Sequence, residues 1–421
     1  MNILLNKRWA LLPAAAVAAS LFLTGCGSSD DSSSSSNGSD ASVLGPEKKA
    51  TGEPIKIALS SVGKSAQIDN TEEIEAAKAA VFYVNDYLGG VNGRPLEITM
   101  VCENQAQPSL ARDCANKFVQ SDAVALVSGP EPGGDAILAI TGPSGLPYFN
   151  LNSSEGSFSQ PGSFMLTNGL GALAGVSANY AKEQGFKKVA IVTIDVPAAV
   201  EPLKQLGGLV FGNAGATTDI IPVPAGTPDQ TPQIQAALEG KPDMFQVIGD
   251  TAFCTSTLKA MRTLNVTQPV VVIGQCIGDE TTASQIPNGY SDVLVAPQFS
   301  LDPFQEETKV YNAVIDKYTE AKVKGESAPT GYQAVLGLAR ALTGMQGEVT
   351  RATVTAYLSA MPAPQPVPLG ASATFQCGTH PVAIAPNICA RDALIGKAEE
   401  SGSVTDVKAV DVSALLKLPG A

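Results

Sequence analysis

One histidine, His380, and one tryptophan, Trp9, are all that the sequence offers of those two residue types. It has no Gly-x-Ser-x-Gly elbow, no His-Glu-x-x-His pair, no phosphate-binding loop and no Cys-x-x-Cys. Their absence removes the usual starting points for acyl transfer, metal-assisted hydrolysis, nucleotide binding and cysteine-rich zinc sites. Basic residues are also scarce: 27 Lys and Arg stand against 40 Asp and Glu, for a formal charge of −13. Neutralising a phosphate backbone needs clustered basic side chains, so nucleic acid is excluded as a partner. The charge favours solubility and does not specify a binding mode. Long apolar runs are missing except near the N-terminus, where Trp9 to Leu23 falls short of the ~20 residues that span a bilayer. What remains is a chain of 421 residues, 44% of them hydrophobic. That is too long for one ordinary core and points to two domains.

The N-terminal apolar run follows Lys7-Arg8 and ends in Leu23-Thr24-Gly25-Cys26, the layout of an export signal over residues 1–25. Leu-Thr-Gly-Cys resembles a bacterial lipobox, in which the signal peptide is cut before the cysteine and the thiol carries the lipid. The alternative is an ordinary secretory signal with an incidental cysteine. Residues 26–53, with serines throughout 32–36, cannot bury enough apolar surface to offset their ordering entropy and read as a flexible tether. Setting Cys26 aside leaves six cysteines in three neighbouring couples: Cys102 with Cys114, Cys254 with Cys276, and Cys377 with Cys389. Six cysteines allow fifteen connectivities, of which sequential pairing is the simplest. An exported chain favours disulfides, each contributing about 3 kcal/mol. No metal and no cofactor is expected.

The stretch 124–154 organises the rest. It reads as a buried strand at 124–128, a glycine-proline turn at 129–134, a helix, a second strand at 146–150 and a polar loop at 152–154. Two strands joined by one helix lie parallel with both C-terminal loops at one sheet edge, where loop hydroxyls and free helix N–H groups converge on ligands. Upstream, strands at 55–60 and 96–101 alternate with helices at 72–88 and 108–120. The alternation restarts with helices at 171–185, 203–211, 231–238 and 253–264 between strands at 189–193, 218–223, 244–248 and 270–273. A strand at 293–296 and helices at 302–324, 328–343 and 350–361 follow, then a proline-rich segment, a strand-like 371–375 and a Cys377–Cys389 hairpin. Short apolar strands between helices make an α/β fold of two doubly wound parallel sheets. The C-terminal pieces complete both.

In this order the elements resemble the type I, Leu/Ile/Val-binding-protein-like periplasmic solute-binding proteins of ABC importers. The resemblance spans 54–397. It rests on the first strand and loop at 57–67, on Asn85-Asp86-Tyr87-Leu88-Gly89-Gly90-Val91-Asn92-Gly93-Arg94, and on the strand and loop at 146–154. It implies two lobes joined by three crossings, lobe 1 at 54–169 with 298–361 and lobe 2 at 170–297 with 362–421. They close on a ligand, and a membrane permease recognises the closed form. It also implies hydroxyls after the third and fourth strands to hold a ligand carboxylate. Asn152-Ser153-Ser154 fits that role, with Ser154 at the hydroxyl position. Glu131 or Pro132 stands where the other serine is expected, and a desolvated carboxylate there repels an amino acid's own. Ile68, beside Gln67, replaces a backing aromatic residue, Gly171 an acid at the crossing, Ala198 an aromatic residue, and Cys276, after Gln275, the acid that pairs with an α-amino group. The resemblance thus implies the fold without the amino-acid recognition set. The expected ligand is neutral or apolar, with Ile68, Pro132, Pro197 and Ala198 as apolar bulk and Gln67, Glu131, Ser153, Ser154 and Gln275 fixing its orientation.

Position alone adds Asp195, Asp250 and Gln275 at C-terminal strand ends of the second domain, each equally readable as a helix cap. Asn152 to Ser154 are equally readable as turn residues, and Glu131 as a solvated acid. Gly169-x-Gly171-x-x-x-Gly175 followed by Asp195 imitates a dinucleotide fingerprint. The weak strand before it favours a lobe crossing and helix packing instead. The expectation is a monomeric, lipid-anchored carrier on the extracytoplasmic face of the cell membrane, not an enzyme, that passes a small ligand to an ABC permease. The alternatives are a ligand sensor on the same fold and a genuine branched-chain amino acid binder.

Overall fold

The computed structural model describes residues 41–65, 69–152, 154–320, 323, 325 and 327–418. Cys26 and residues 27–40 lie outside these residues; the end of the expected tether, 41–53, is instead docked, with Leu44 buried in the core and the Lys48 and Ala50 N–H groups donating to the Asp86 and Asn85 carbonyls at 2.7 and 2.8 Å. β1 (Ile55–Ser61), β2 (Leu96–Glu103), β3 (Ala125–Ser128), β4 (Tyr148–Asn150) and β5 (Ser163–Met165) form one sheet in the order β2-β1-β3-β4-β5. All its pairs are parallel. The helices α1 (Thr71–Asp86), α2 (Pro108–Gln120) and α3 (Gly134–Thr141) connect its first four strands. β3 and β4 are buried along their whole length, as strands covered on both faces must be.

The chain then crosses into a second sheet. The helix expected at 171–185 begins as a π-helical turn, Gly171–Gly175, and continues as α4 (Val176–Gln184). A Cβ at Gly171 would collide with Val412 and Ala393, and one at Gly175 would press on Val412. These glycines serve close packing, the role that the sequence favoured over dinucleotide binding. β6 (Lys188–Ile194), β7 (Thr217–Val223), β8 (Met244–Ile248), β9 (Val270–Ile273) and β10 (Val293–Ala296) follow, with α5 (Pro197–Asn213), α6 (Thr231–Glu239), α7 (Thr251–Thr263) and the short α8 (Glu280–Ala283) between them. Next come α9 (Glu306–Tyr318), α10 (Ala328–Ala341), α11 (Arg351–Leu358), β11 (Gln365–Pro366), β12 (Thr374–Phe375), β13 (Asp392–Ala398) and β14 (Val404–Asp411). The second sheet runs β14-β13-β10-β9-β8-β6-β7. Its last two strands are an antiparallel hairpin laid against β10, an addition to the parallel sheet expected from the sequence.

The helix expected at 302–324 starts later, at Glu306, because Asp302 turns back on itself: its carboxylate accepts the Phe304 N–H at 3.0 Å. α10 is buried almost throughout and lies against α1, so close that a Cβ at Gly331 would strike the Glu73 carbonyl. Val367, Leu369 and Phe375 join the same core as Leu59, Val127 and Tyr332, so the segment after α11 packs on the first sheet. The three neighbouring cysteine couples are disulfides, with Cα separations of 5.6 Å for Cys102–Cys114, 5.2 Å for Cys254–Cys276 and 4.3 Å for Cys377–Cys389. Two chain crossings run side by side, Met165 pairing in parallel with Ile388. No helix among the described residues is long and apolar enough to cross a membrane.

Candidate functional site

Strand order reverses between β1 and β3 in the first sheet and between β6 and β8 in the second. Open α/β sheets bind ligands at the carboxyl ends of strands flanking such a reversal. In the first sheet that crevice is filled from within. Glu131 is 2% exposed and its carboxylate accepts the Ser60 hydroxyl at 3.0 Å, the Asn104 amide at 2.6 Å and the Gly133 N–H at 2.9 Å. Burial pushes this carboxyl above its ordinary range, and the three hydrogen bonds pull it back only in part. Glu131 is therefore an internal strut of the β3 turn rather than a solvated acid.

A second acid lies behind the same turn. Glu73, on α1, is fully buried and accepts the Ser61 hydroxyl and the Gly129 N–H, both at 2.7 Å. Burial pushes its carboxyl up to about 7, with nearby Glu131 adding to the rise. Gly129 must be glycine here, since a Cβ would collide with the Glu73 carboxylate and the Thr330 hydroxyl.

A cavity of about 650 Å³ opens in front of this turn. Asn70, Pro130, Ser327 and Thr330 line it from the first sheet's side, and Gln275, Ile277 and Val295 from the second's. Phe299, Leu301 and Pro303 of the chain leaving β10 add an apolar wall, and Gly402, Ser403 and Val404 at the β13–β14 turn complete it. No Asp, Glu, Lys or Arg is among the described residues of that lining. A volume of this order suits a small organic molecule. Another cavity, about 780 Å³, lies at the opposite end of the second sheet, where β9 and β10 begin. It carries Arg262, Lys397, Glu399 and Glu400 and no residue of the first sheet.

The residues singled out in the sequence divide accordingly. Gln275 is exposed and lines the cavity. Pro132 is exposed outside it, and its neighbour Pro130 takes the lining position. The Ser154 hydroxyl donates to Asp135 at 2.6 Å, and the Asn152 carbonyl accepts the Glu131 N–H at 3.0 Å, so the fourth-strand loop is fastened to the third-strand turn. Asp250 caps α7 by accepting the Phe253 N–H at 2.8 Å, and Asp195 is exposed just before α5. Gln67, Ile68 and Ser153, with the side chain of Ala198, lie outside the described residues. The crossing wall and the hairpin turn escaped sequence reasoning, although Glu399-Glu400-Ser401-Gly402 between two apolar stretches is a hairpin signal. Among the described residues no group of three or more His, Cys, Asp or Glu could hold a metal ion.

Two α/β lobes with a cavity between them whose described lining carries no charged side chain have the form of a two-lobed small-molecule binding protein. Residues 54–386 match the periplasmic binding protein family, and the chain belongs to that family. It is thus a periplasmic binding protein, of a family that works outside the cytoplasm. Among solved structures, the fold is similar to a fatty acid ABC transporter substrate-binding protein from Thermomonospora curvata, with 13% identity, a TM-score of 0.65, and 88% of this chain and 96% of that one covered. It is also similar to an ABC transporter substrate-binding protein from Desulfitobacterium hafniense in complex with Leu (19%, TM-score 0.63, 84% and 99% covered). An ABC transporter solute-binding protein from R. palustris in complex with 4-hydroxybenzoate is comparable (14%, TM-score 0.62, 85% and 97% covered). No curated protein matches the chain in sequence.

Proposed function

We propose that the protein is the lipid-anchored carrier of an ABC importer of the branched-chain amino acid type, and that its ligand is neutral or apolar rather than a standard α-amino acid. The observation that carries this reading is the lining of the cleft: amides and hydroxyls at Asn70, Gln275, Gln298, Ser327, Thr330 and Ser403, apolar side chains and glycines elsewhere, and no charged side chain among the described residues. An amino acid brings two charges that such a surface compensates poorly. The fold's neighbours carry cargoes as different as a fatty acid, 4-hydroxybenzoate and leucine, so the scaffold does not dictate an amino acid. Contacts from both lobes shift an open–closed equilibrium, and the closed form docks on the permease.

Within this reading Gln275 orients the ligand, and Gln67, Ile68, Ser153 and Ala198 complete the rim. We take residues 54–169 as lobe 1 with 298 onward, and 170–297 as lobe 2 with the C-terminal hairpin. Because Val367, Leu369 and Phe375 pack on the first sheet, we assign 362–377 to lobe 1 and move the last crossing toward 388. Cys26 carries the lipid. Mass spectrometry of molecules released from the purified, denatured protein tests the ligand class, with a neutral amphiphile or aromatic compound expected. Stabilisation in a thermal-shift panel by branched amino acids alone would overturn it. Loss of uptake on deletion distinguishes a carrier from a sensor, and release of Cys26→Ala from membranes tests the anchor.

A further inference from the structure

The segment leaving β10 combines buried, hydrogen-bonded residues with apolar ones that line the cleft. Ser300 and Asp302 are buried and fastened: the Ser300 N–H donates to the Leu369 carbonyl at 2.7 Å, and the Asp302 carboxylate accepts the Val407 N–H at 3.4 Å. Gln305 returns to the same β14 residue, its amide donating to the Val407 carbonyl at 2.9 Å. The intervening Phe299, Leu301 and Pro303 line the cleft. The segment bends at 298–299 and turns at 303–304; the bonds of Ser300, Asp302 and Gln305 fasten it to both lobes while Phe299, Leu301 and Pro303 face the cavity. Leu301 remains 43% exposed although both its neighbours are buried. Val404, three residues before the clasped Val407, adds apolar lining from the hairpin.

We propose that this hinge-side part of the cleft is an apolar subsite, formed by Phe299, Leu301, Pro303 and Val404, that receives a hydrocarbon portion of the imported ligand. The proposal rests on the reading of the cleft as the ligand site and adds where in it the apolar part lies. The amides and hydroxyls of Asn70, Gln275, Ser327 and Thr330 are then left for a neutral polar end, which makes the substrate class an uncharged amphiphile. The Asp302 and Gln305 clasp keeps the wall in place, so the subsite is present before the ligand arrives.

The test uses the full mature chain and the neutral aromatic probe N-phenyl-1-naphthylamine, followed by fluorescence, with 1-octanol as an aliphatic competitor. Saturable probe binding is expected for the unaltered protein. Leu301→Asp and Val404→Asp should each weaken it at least tenfold, Leu301→Met should stay within twofold, and Phe82→Asp, on exposed α1 surface, should leave it unchanged. Displacement by octanol supports a site for acyl as well as aryl hydrocarbon; failure of displacement restricts it to aryl groups. If an aspartate variant loses thermal stability, Leu301→Gln decides in its place. Unsaturable binding to the unaltered chain, or unweakened binding to Leu301→Gln and Val404→Asp, overturns the subsite. Thermal stabilisation by leucine without probe displacement overturns the neutral-ligand reading and leaves the subsite standing.

Discussion

The Ser61 hydroxyl donates to the Glu73 carboxylate across 2.7 Å, at the end of β1 and behind the floor of the cleft. The opposing acid Glu131 acts on this carboxyl too, and it raises rather than relieves the cost of burial. Two buried, hydrogen-bonded acids thus hold the turn at Gly129 to Gly133 from both sides.

Stability should therefore depend on pH in an unusual direction. The Glu73 carboxyl rises from an ordinary 4.5 to about 7 on folding, so between those values the folded chain binds the extra proton and the unfolded chain does not. The stabilisation is complete below about 4.5 and is lost as the pH rises through about 7, a swing on the order of 3 kcal/mol. Urea melts at pH 5, 6, 7 and 8 should show stability declining across that window, and Glu73→Gln should flatten the slope. A slope that Glu73→Gln leaves intact assigns the proton elsewhere.

Arg351 closes the end of α2. Its guanidinium donates to the carbonyls of Ser121 at 2.7 Å, Ala123 at 2.9 Å and Val119 at 3.1 Å. Removing it leaves partly buried carbonyls without a donor, at about 1–3 kcal/mol in total. Arg351→Lys offers no planar fork and should recover less than half of the loss by urea titration.

Two glycine substitutions should move stability in opposite directions. Gly331→Ala drives a methyl into the Glu73 carbonyl at the α1–α10 contact and should cost upwards of about 3 kcal/mol, because backbone cannot step aside. Gly208→Ala, on the exposed side of α5 with nothing within 4 Å, should stabilise by about 0.5–1 kcal/mol. Thermal melts of the two single variants decide both.

The Cys254–Cys276 disulfide joins α7 to the turn that carries Gln275. Replacing both cysteines by alanine should lower stability by about 3 kcal/mol. It should also speed amide exchange at Ile277, whose N–H donates to the Gly274 carbonyl at 3.1 Å. Unchanged exchange there would show that the turn holds its shape without the cross-link.

Much of the scaffold was legible because its inner strands are short, apolar and buried on both faces, while several helices between them begin at proline, as α2 and α5 do, or stop at glycine, as α4 and α6 do. The cysteine couples were legible because each joins consecutive elements. The hairpin β13–β14 was not. Its apolar residues Val404, Val407 and Val410 break the two-residue period where Asp406 takes a φ of 52° and the register shifts opposite Ile395 to Lys397. The site was legible as a place but not as a set of contacts. Glu131 stands on the expected turn, yet its side chain bends inward to Ser60 and Asn104, a direction fixed by tertiary partners that no local pattern encodes. Ser154 likewise satisfies Asp135.

The antiparallel pair that flanks β10 arrives last in the chain, and this sets an order of assembly. A nascent polypeptide ending before Asp392 leaves β10 with one backbone edge bare, an adhesive surface for other chains. The second lobe can seal only when almost the entire protein has been delivered to the compartment where it matures. Premature termination near the end should therefore produce aggregates rather than a shortened but working carrier.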